Sequence, residues 1–136
     1  MKSFFILSLV MLGMVGCKPS LDEVHVEDLH DACDCVDVSE ILFTTYADLF
    51  AEHEETIDAY FEAMQTGSEL PPDIQEKFDN EVMPEVNAVT EKGNAIGEVC
   101  SEFMDTEAVM NGLDSVDCPN LEDARKAYER VLATMK

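Results

Sequence analysis

Tryptophan and catalytic motifs are both missing from this sequence. The 136 residues include no Trp, three Tyr and seven Phe, so the chain has few aromatic side chains with which to fill a core. We find no Gly-x-Ser-x-Gly elbow, P-loop, dinucleotide-binding fingerprint or haem-attachment site. The sequence therefore predicts no catalytic residue, no cofactor and no enzyme activity.

Basic residues are scarce as well. Eight Lys and Arg face 30 Asp and Glu, which gives a formal net charge of −22 at pH 7. A surface this acidic repels phosphate backbones, so nucleic acid is not expected as a partner. The same charge favours divalent cations and basic protein surfaces as partners, and it also keeps a protein soluble.

Long apolar runs are absent except at the start of the chain. Residues 4–15 follow Lys2 and precede Gly16 and Cys17. A basic residue, a short apolar run and a small residue form an export signal, whereas a membrane-spanning helix needs about 20 apolar residues. The sequence therefore predicts export and a signal peptide over residues 1–16.

The end of that run resembles the lipobox of bacterial lipoproteins, with Met14 where leucine is usual, followed by Val15, Gly16 and Cys17. The resemblance implies cleavage before Cys17, acylation of that cysteine and a lipid anchor in the membrane. Lys18 stands where an aspartate often signals inner-membrane retention, so the resemblance implies the outer membrane.

This resemblance divides the chain into a signal peptide (1–16), a lipidated acidic tether (17–35) and a folded domain (36–136). Cleavage removes Lys2 and no acid, which leaves seven Lys and Arg against 30 acids and a net charge of −23. The tether is polar and lacks sustained periodicity, as is typical of a flexible linker.

Apolar residues in the domain recur every three or four positions, which predicts helices. A first helix is predicted over residues 38–64, capped by Asp37, and a second begins near Asp73. Pro84 predicts either a kink or a break in the second helix. A third helix follows Asn120. No segment alternates as a strand does, so the predicted fold is all-α: a small antiparallel bundle of two long helices plus a C-terminal helix, stapled by disulfides at one end.

Two glycines in the second helix, Gly93 and Gly97, lie four residues apart. Charged neighbours argue against a membrane helix. We therefore expect this spacing to permit close approach of a neighbouring helix.

Four cysteines remain once Cys17 is acylated: Cys33, Cys35, Cys100 and Cys118. Folding the first helix against the second about residues 68–69 brings all four to one end of the bundle. Disulfides persist in exported proteins, and an even number of cysteines suits two bridges. Cys33 and Cys35 are too close to pair with each other, so each is predicted to bond to Cys100 or Cys118. Both cross-pairings stay open.

Metal binding is the alternative role for the segment that contains Cys33 and Cys35. Imidazole and thiolate ligands are offered by His25, His30, Cys33 and Cys35, although their spacing differs from that of the common zinc modules. A row of acids, Glu54, Asp58 and Glu62, offers a loose site for divalent cations. His53 falls on the apolar face of the first helix and is expected to be a boundary residue.

Two functions are compatible with these observations. The first is a membrane-anchored envelope module that presents an acidic surface to a basic envelope protein. The Cys-x-Cys segment before a helix also loosely resembles small uncharacterised envelope lipoproteins, which implies no biochemical role. The second is a divalent-cation or soft-metal binding protein.

Overall fold

A computed structural model describes residues 19–135, among which no β-strand occurs. The helices are α1 (Ala32–Glu52), α2 (Glu54–Thr66), α3 (Pro72–Lys77), α4 (Met83–Cys100), α5 (Thr106–Met110) and α6 (Leu121–Thr134). Two 3-10 turns, Leu21–Glu23 and Val26–Asp28, precede α1, and a π-helical segment, Phe78–Val82, joins α3 to α4. The predicted all-α, disulfide-linked fold is confirmed.

Helix α1 lies at the centre of the bundle. It runs antiparallel to α4, since Cys35 bonds to Cys100 and the Tyr46 hydroxyl lies 2.8 Å from that of Thr90. It runs parallel to α6, since Asn120 donates a hydrogen bond to Glu40 and Arg130 pairs with Asp48 at 3.0 Å. The third predicted helix therefore lies along the first helix.

Helix α1 begins six residues earlier than predicted. Asp31, in extended conformation, is its N-cap, and its side chain accepts a hydrogen bond of 2.8 Å from the Asp34 amide. Asp37 lies inside the helix, so its predicted capping role is wrong. Both aspartates have an acidic residue three positions later, and the local pattern alone does not distinguish them.

The first predicted helix is interrupted at His53. This residue has φ −109° and ψ 24°, which ends α1 and precedes α2. Its amide still donates to the Leu49 carbonyl, and its carbonyl accepts from the Ile57 amide. Hydrogen bonding therefore passes through the break, and no proline or glycine marks it in the sequence. Gly67, with φ 66°, ends α2 in the left-handed conformation that glycine adopts readily.

Pro84 neither breaks the second helix nor leaves it regular. It occupies the second position of α4, directly after the π segment. The Met83 amide donates to the carbonyl of Phe78, five residues earlier. Because Pro84 has no amide hydrogen, the wider π turn accommodates it while the chain remains helical.

Residues 19–31 do not behave as a tether. Leu21, Val24 and Leu29 are buried and join the same core cluster as Val36 and Ile96. The folded domain was expected to begin at residue 36, but packing against the core begins earlier in the chain. Short 3-10 turns bring apolar side chains, which acidic residues separate in the sequence, into contact with the bundle.

Close helix approach is confirmed at one of the two glycines. A Cβ atom at Gly93 would lie 3.3 Å from Leu42 Cδ1, so α1 passes close to α4 there. A Cβ atom at Gly97 would meet nothing within 4 Å. Gly97 therefore has no packing reason to be glycine.

Candidate functional site

Both predicted disulfides form, and the structure determines their pairing. Cys33 bonds to Cys118 and Cys35 to Cys100, with Cα–Cα distances of 5.2 and 5.7 Å. Residues two apart on a helix point about 200° apart around its axis. The Cys-x-Cys spacing thus lets the first turns of α1 bond to two different parts of the chain on nearly opposite sides.

The two bridges differ in exposure. Cys35 and Cys100 are 0% and 1% exposed and belong to the core, whereas Cys33 and Cys118 lie at its partly exposed edge. One bridge is therefore shielded from solvent reagents and the other is more accessible.

The soft-metal alternative is not supported by this arrangement. Cys33 and Cys35 are disulfide-bonded and offer no thiolate. The exposed His25 side chain lies 3.9 Å from Glu27, and the His30 backbone amide donates to Asp34 Oδ2 at 2.9 Å. The set of His25, His30, Cys33 and Cys35 is therefore corrected to two cysteines in separate disulfides and two separate histidines.

Asp37 belongs to a polar cluster between α1 and the start of α6. Partial burial raises the pKa of its carboxyl, a hydrogen bond with Asn120 lowers it, and the negative charges of Asp34, Glu40 and Asp31 raise it further. The net pKa lies above the usual value. This carboxylate therefore takes up a proton more readily than an isolated aspartate does.

A cleft of about 450 Å³ opens between the N-terminal segment (residues 19–31), α1 and α4. Buried Leu21, Leu49 and Val89 contribute apolar surface to it. Three acids, Asp22, Glu40 and Glu85, also line the cleft, and Lys92 is the cation among its lining residues. Sequence periodicity alone did not reveal this cleft, because one wall comes from the segment interpreted as a tether.

Charge on the folded chain is strongly one-sided. All 30 acids lie within residues 19–135, together with the cations Lys77, Lys92, Arg125, Lys126 and Arg130. Arg130 and Lys126 pair with Asp48 and Glu122, and Arg125 donates to the carbonyls of Val109 and Asp114. Most carboxylates therefore have no cationic partner within the described part of the chain.

His53 meets two acids that the sequence analysis did not connect with it. Its side chain is 9% exposed, and Nε2 lies 3.4 Å from Glu85 Oε2. One ligand atom each from Glu52, His53 and Glu85 lies within 4.8 Å of the others. The signal was weak in the sequence because Glu85 is 32 residues from His53 and joins it only through the pairing of α1 with α4.

The predicted acidic row is present but open. Glu54, Asp58 and Glu62 are all exposed on α2. Within residues 19–135, only Glu52, His53 and Glu85 bring three possible metal-ligand atoms within 4.8 Å of one another, so the row does not converge on a common point.

Cys17, the predicted lipidation site, lies outside the described residues, as does the predicted signal peptide. None of the helices described is long and apolar enough to cross a membrane. Comparison of the chain with models of protein families, with curated protein sequences and with solved structures gives no match.

Proposed function

We propose that the chain is a lipid-anchored envelope protein, held at the outer membrane through Cys17, whose folded domain is a small interaction module. The cleft between the N-terminal segment, α1 and α4 carries this proposal. Apolar surface favours an apolar side chain, and the acids Asp22, Glu40 and Glu85 favour a cation beside it. The matching partner is a basic segment with apolar residues in another envelope protein.

The position of the cleft supports a partner close to the lipid surface. Pro19 and Ser20 line the cleft, and Pro19 follows Cys17 by two residues. Two extended residues span about 7 Å at most. An acylated Cys17 therefore keeps the edge of the cleft close to the membrane.

The same acidity that attracts a basic partner repels others. Thirty acids against five cations in the described residues disfavour anionic ligands and nucleic acid. Lys92 weakens the attraction locally, so neutralising Lys92 is expected to tighten binding of a basic segment.

The test uses two matched photocrosslinking positions in the full-length protein within its native envelope. Thr44 lines the cleft, while exposed Glu129 lies on α6 and outside the cleft lining. A crosslinker at Thr44 should capture a partner that the Glu129 position does not. The captured protein should bind the purified mature chain with an affinity that falls with salt and rises in the Lys92→Met variant. Identical products from both positions, or salt-independent affinity, would contradict the proposal.

The anchor has a separate test. The wild-type protein should label with palmitate and sediment with the outer membrane, whereas Cys17→Ala should lose the label and the membrane association. Retention of Cys17→Ala in the membrane would show that another feature attaches the chain.

Cation handling is the second candidate. Its soft-metal form has no cysteine thiolate within residues 19–135, since Cys33, Cys35, Cys100 and Cys118 are all in disulfides. Loose attraction of divalent cations to exposed acids such as Glu54, Asp58 and Glu62 remains compatible with the charge.

A further inference from the structure

The break at His53, between α1 and α2, brings an imidazole and two carboxylates together. Glu52 ends α1, His53 separates α1 from α2, and Glu85 lies in the first turn of α4. The His53 ring is nine-tenths buried, while both glutamates reach solvent. One atom from each residue fits within a 4.8 Å span.

A simple ion pair accounts for this group incompletely. A protonated His53 balances one carboxylate, but two converge on it, and within residues 19–135 neither Glu52 nor Glu85 pairs with Lys or Arg. Two carboxylates without sufficient positive charge repel each other. A divalent cation bound to a neutral imidazole would balance both.

The spacing of the group also fits a metal ion. Nitrogen and oxygen ligands lie about 2.0–2.2 Å from zinc, so neighbouring ligands in a tetrahedral site are about 3.4 Å apart. The distance of 3.4 Å between His53 Nε2 and Glu85 Oε2 agrees with this value. The ligand atom of Glu52 already lies within 4.8 Å of the other two, and because this side chain is exposed it is free to move to the shorter ligand spacing.

We propose that Glu52, His53 and Glu85 bind one divalent transition-metal ion, and that zinc is the ion that fits best. Imidazole favours zinc over calcium and magnesium, which prefer oxygen ligands alone. Three protein ligands leave a coordination position for water, and Glu85 also lines the open cleft, so solvent reaches the group.

A metal at this position would tie α1 and α2 to α4. The disulfide between Cys35 and Cys100 ties α1 to α4 at the opposite end of these two helices. Binding to the folded chain alone raises its stability by mass action. Zinc is therefore expected to raise the melting temperature of the protein in which both disulfides are intact.

The test is a zinc titration of the metal-free mature protein, with its disulfides oxidised. Calorimetry should give one zinc per chain. The imidazole NMR signals of His53 should shift on saturation, while those of His25 and His30 should not. His53→Gln, Glu85→Gln and the surface variant Glu52→Gln should each weaken binding by at least tenfold.

Matched controls carry the same substitutions elsewhere. His30→Gln and Glu62→Gln should leave zinc affinity unchanged, because neither residue belongs to the group. Circular dichroism without metal checks that each variant is folded. If the His53→Gln variant does not fold, Glu52→Gln still tests the site, because Glu52 is exposed. The proposal would be overturned if calorimetry detected no zinc binding. It would also be overturned if the protein bound calcium as tightly as zinc and neither Glu52→Gln nor His53→Gln changed the affinity for zinc. The titration uses no protein partner, so its outcome is independent of the proposed interaction function.

Discussion

The two ends of the bundle are held in different ways. At the disulfide end, where α1 begins and α4 ends, two bridges lie beside a buried cluster that includes Val36, Ile96 and Val109. At the hairpin end, defined as residues 54–82, only Thr56, Ile57 and Val82 are buried. Covalent bonds and apolar burial therefore coincide at one end and are both sparse at the other.

Charge increases this contrast. The hairpin end has nine acids and one cation, Lys77. Tyr60 and Phe78 stack there with ring centroids 4.2 Å apart, but Met64 is 64% exposed. Since local opening follows weak burial and repulsion, we infer that the hairpin end opens before the disulfide end.

The largest effect is expected from removing the buried bridge. The two bridges close loops of 65 and 85 residues, which gives each about 4 kcal/mol in the chain-entropy model. Because these entropy terms are nearly equal, burial should decide the difference. Urea unfolding of Cys35→Ala with Cys100→Ala should show a larger loss than Cys33→Ala with Cys118→Ala. An equal or reversed order would contradict the importance of the buried bridge.

The second prediction compares one substitution at both ends. Ile96 is 2% and Ile57 5% exposed, but only Ile96 belongs to the large core cluster. Ile96→Ala should lower the free energy of unfolding by about 4 kcal/mol and Ile57→Ala by about 2 kcal/mol. Hydrogen exchange should also show that Ile57→Ala speeds exchange in α2 and α3 without affecting α4 near Cys100. Uniformly faster exchange would mean that the two ends unfold together.

A smaller effect distinguishes the two glycines of α4. Gly97→Ala adds a methyl group where nothing lies within 4 Å, so higher helix propensity should stabilise the protein by about 0.5–1 kcal/mol. Gly93→Ala places its methyl group 3.3 Å from Leu42, so that gain should be reduced or reversed. Thermal unfolding of both variants provides the measurement. A larger gain for Gly93→Ala would show that α1 and α4 are not closely packed there.

The smallest effect concerns Asp37. Its pKa is raised in the folded protein, chiefly by partial burial, so the folded state binds a proton more readily than the unfolded state. Its contribution to stability is therefore fully present below the unfolded pKa, near 3.9, and is lost as pH rises through the higher folded pKa. Asp37→Asn should stabilise the protein slightly at pH 7 and flatten this part of the pH profile. Unfolding measured from pH 3 to 7 tests this, and an unchanged profile would contradict it.

Helix periodicity and the cysteine pattern were sufficient to predict the bundle and the end at which the disulfides gather. They did not distinguish Cys100 from Cys118 as the partner of Cys35, since both lie at that end. The burial of Leu21, Val24 and Leu29 was missed because 3-10 turns lack the periodicity of an α-helix. The sequence pattern did not predict the contact between Glu85 and His53, because it depends on the register between α1 and α4.

The π segment before Pro84 determines how α3 and α4, on either side of it, face their neighbours. An additional residue in a helical turn rotates everything beyond it by about 100° around the axis. Phe78 can thus stack on Tyr60 while Val89 and Ile96, farther along, turn towards the core. Deleting one residue from 78–82 would restore a uniform helix but would put these two sets of contacts out of phase. Alignments of any related chains should therefore keep the length of this segment constant even where its residues change.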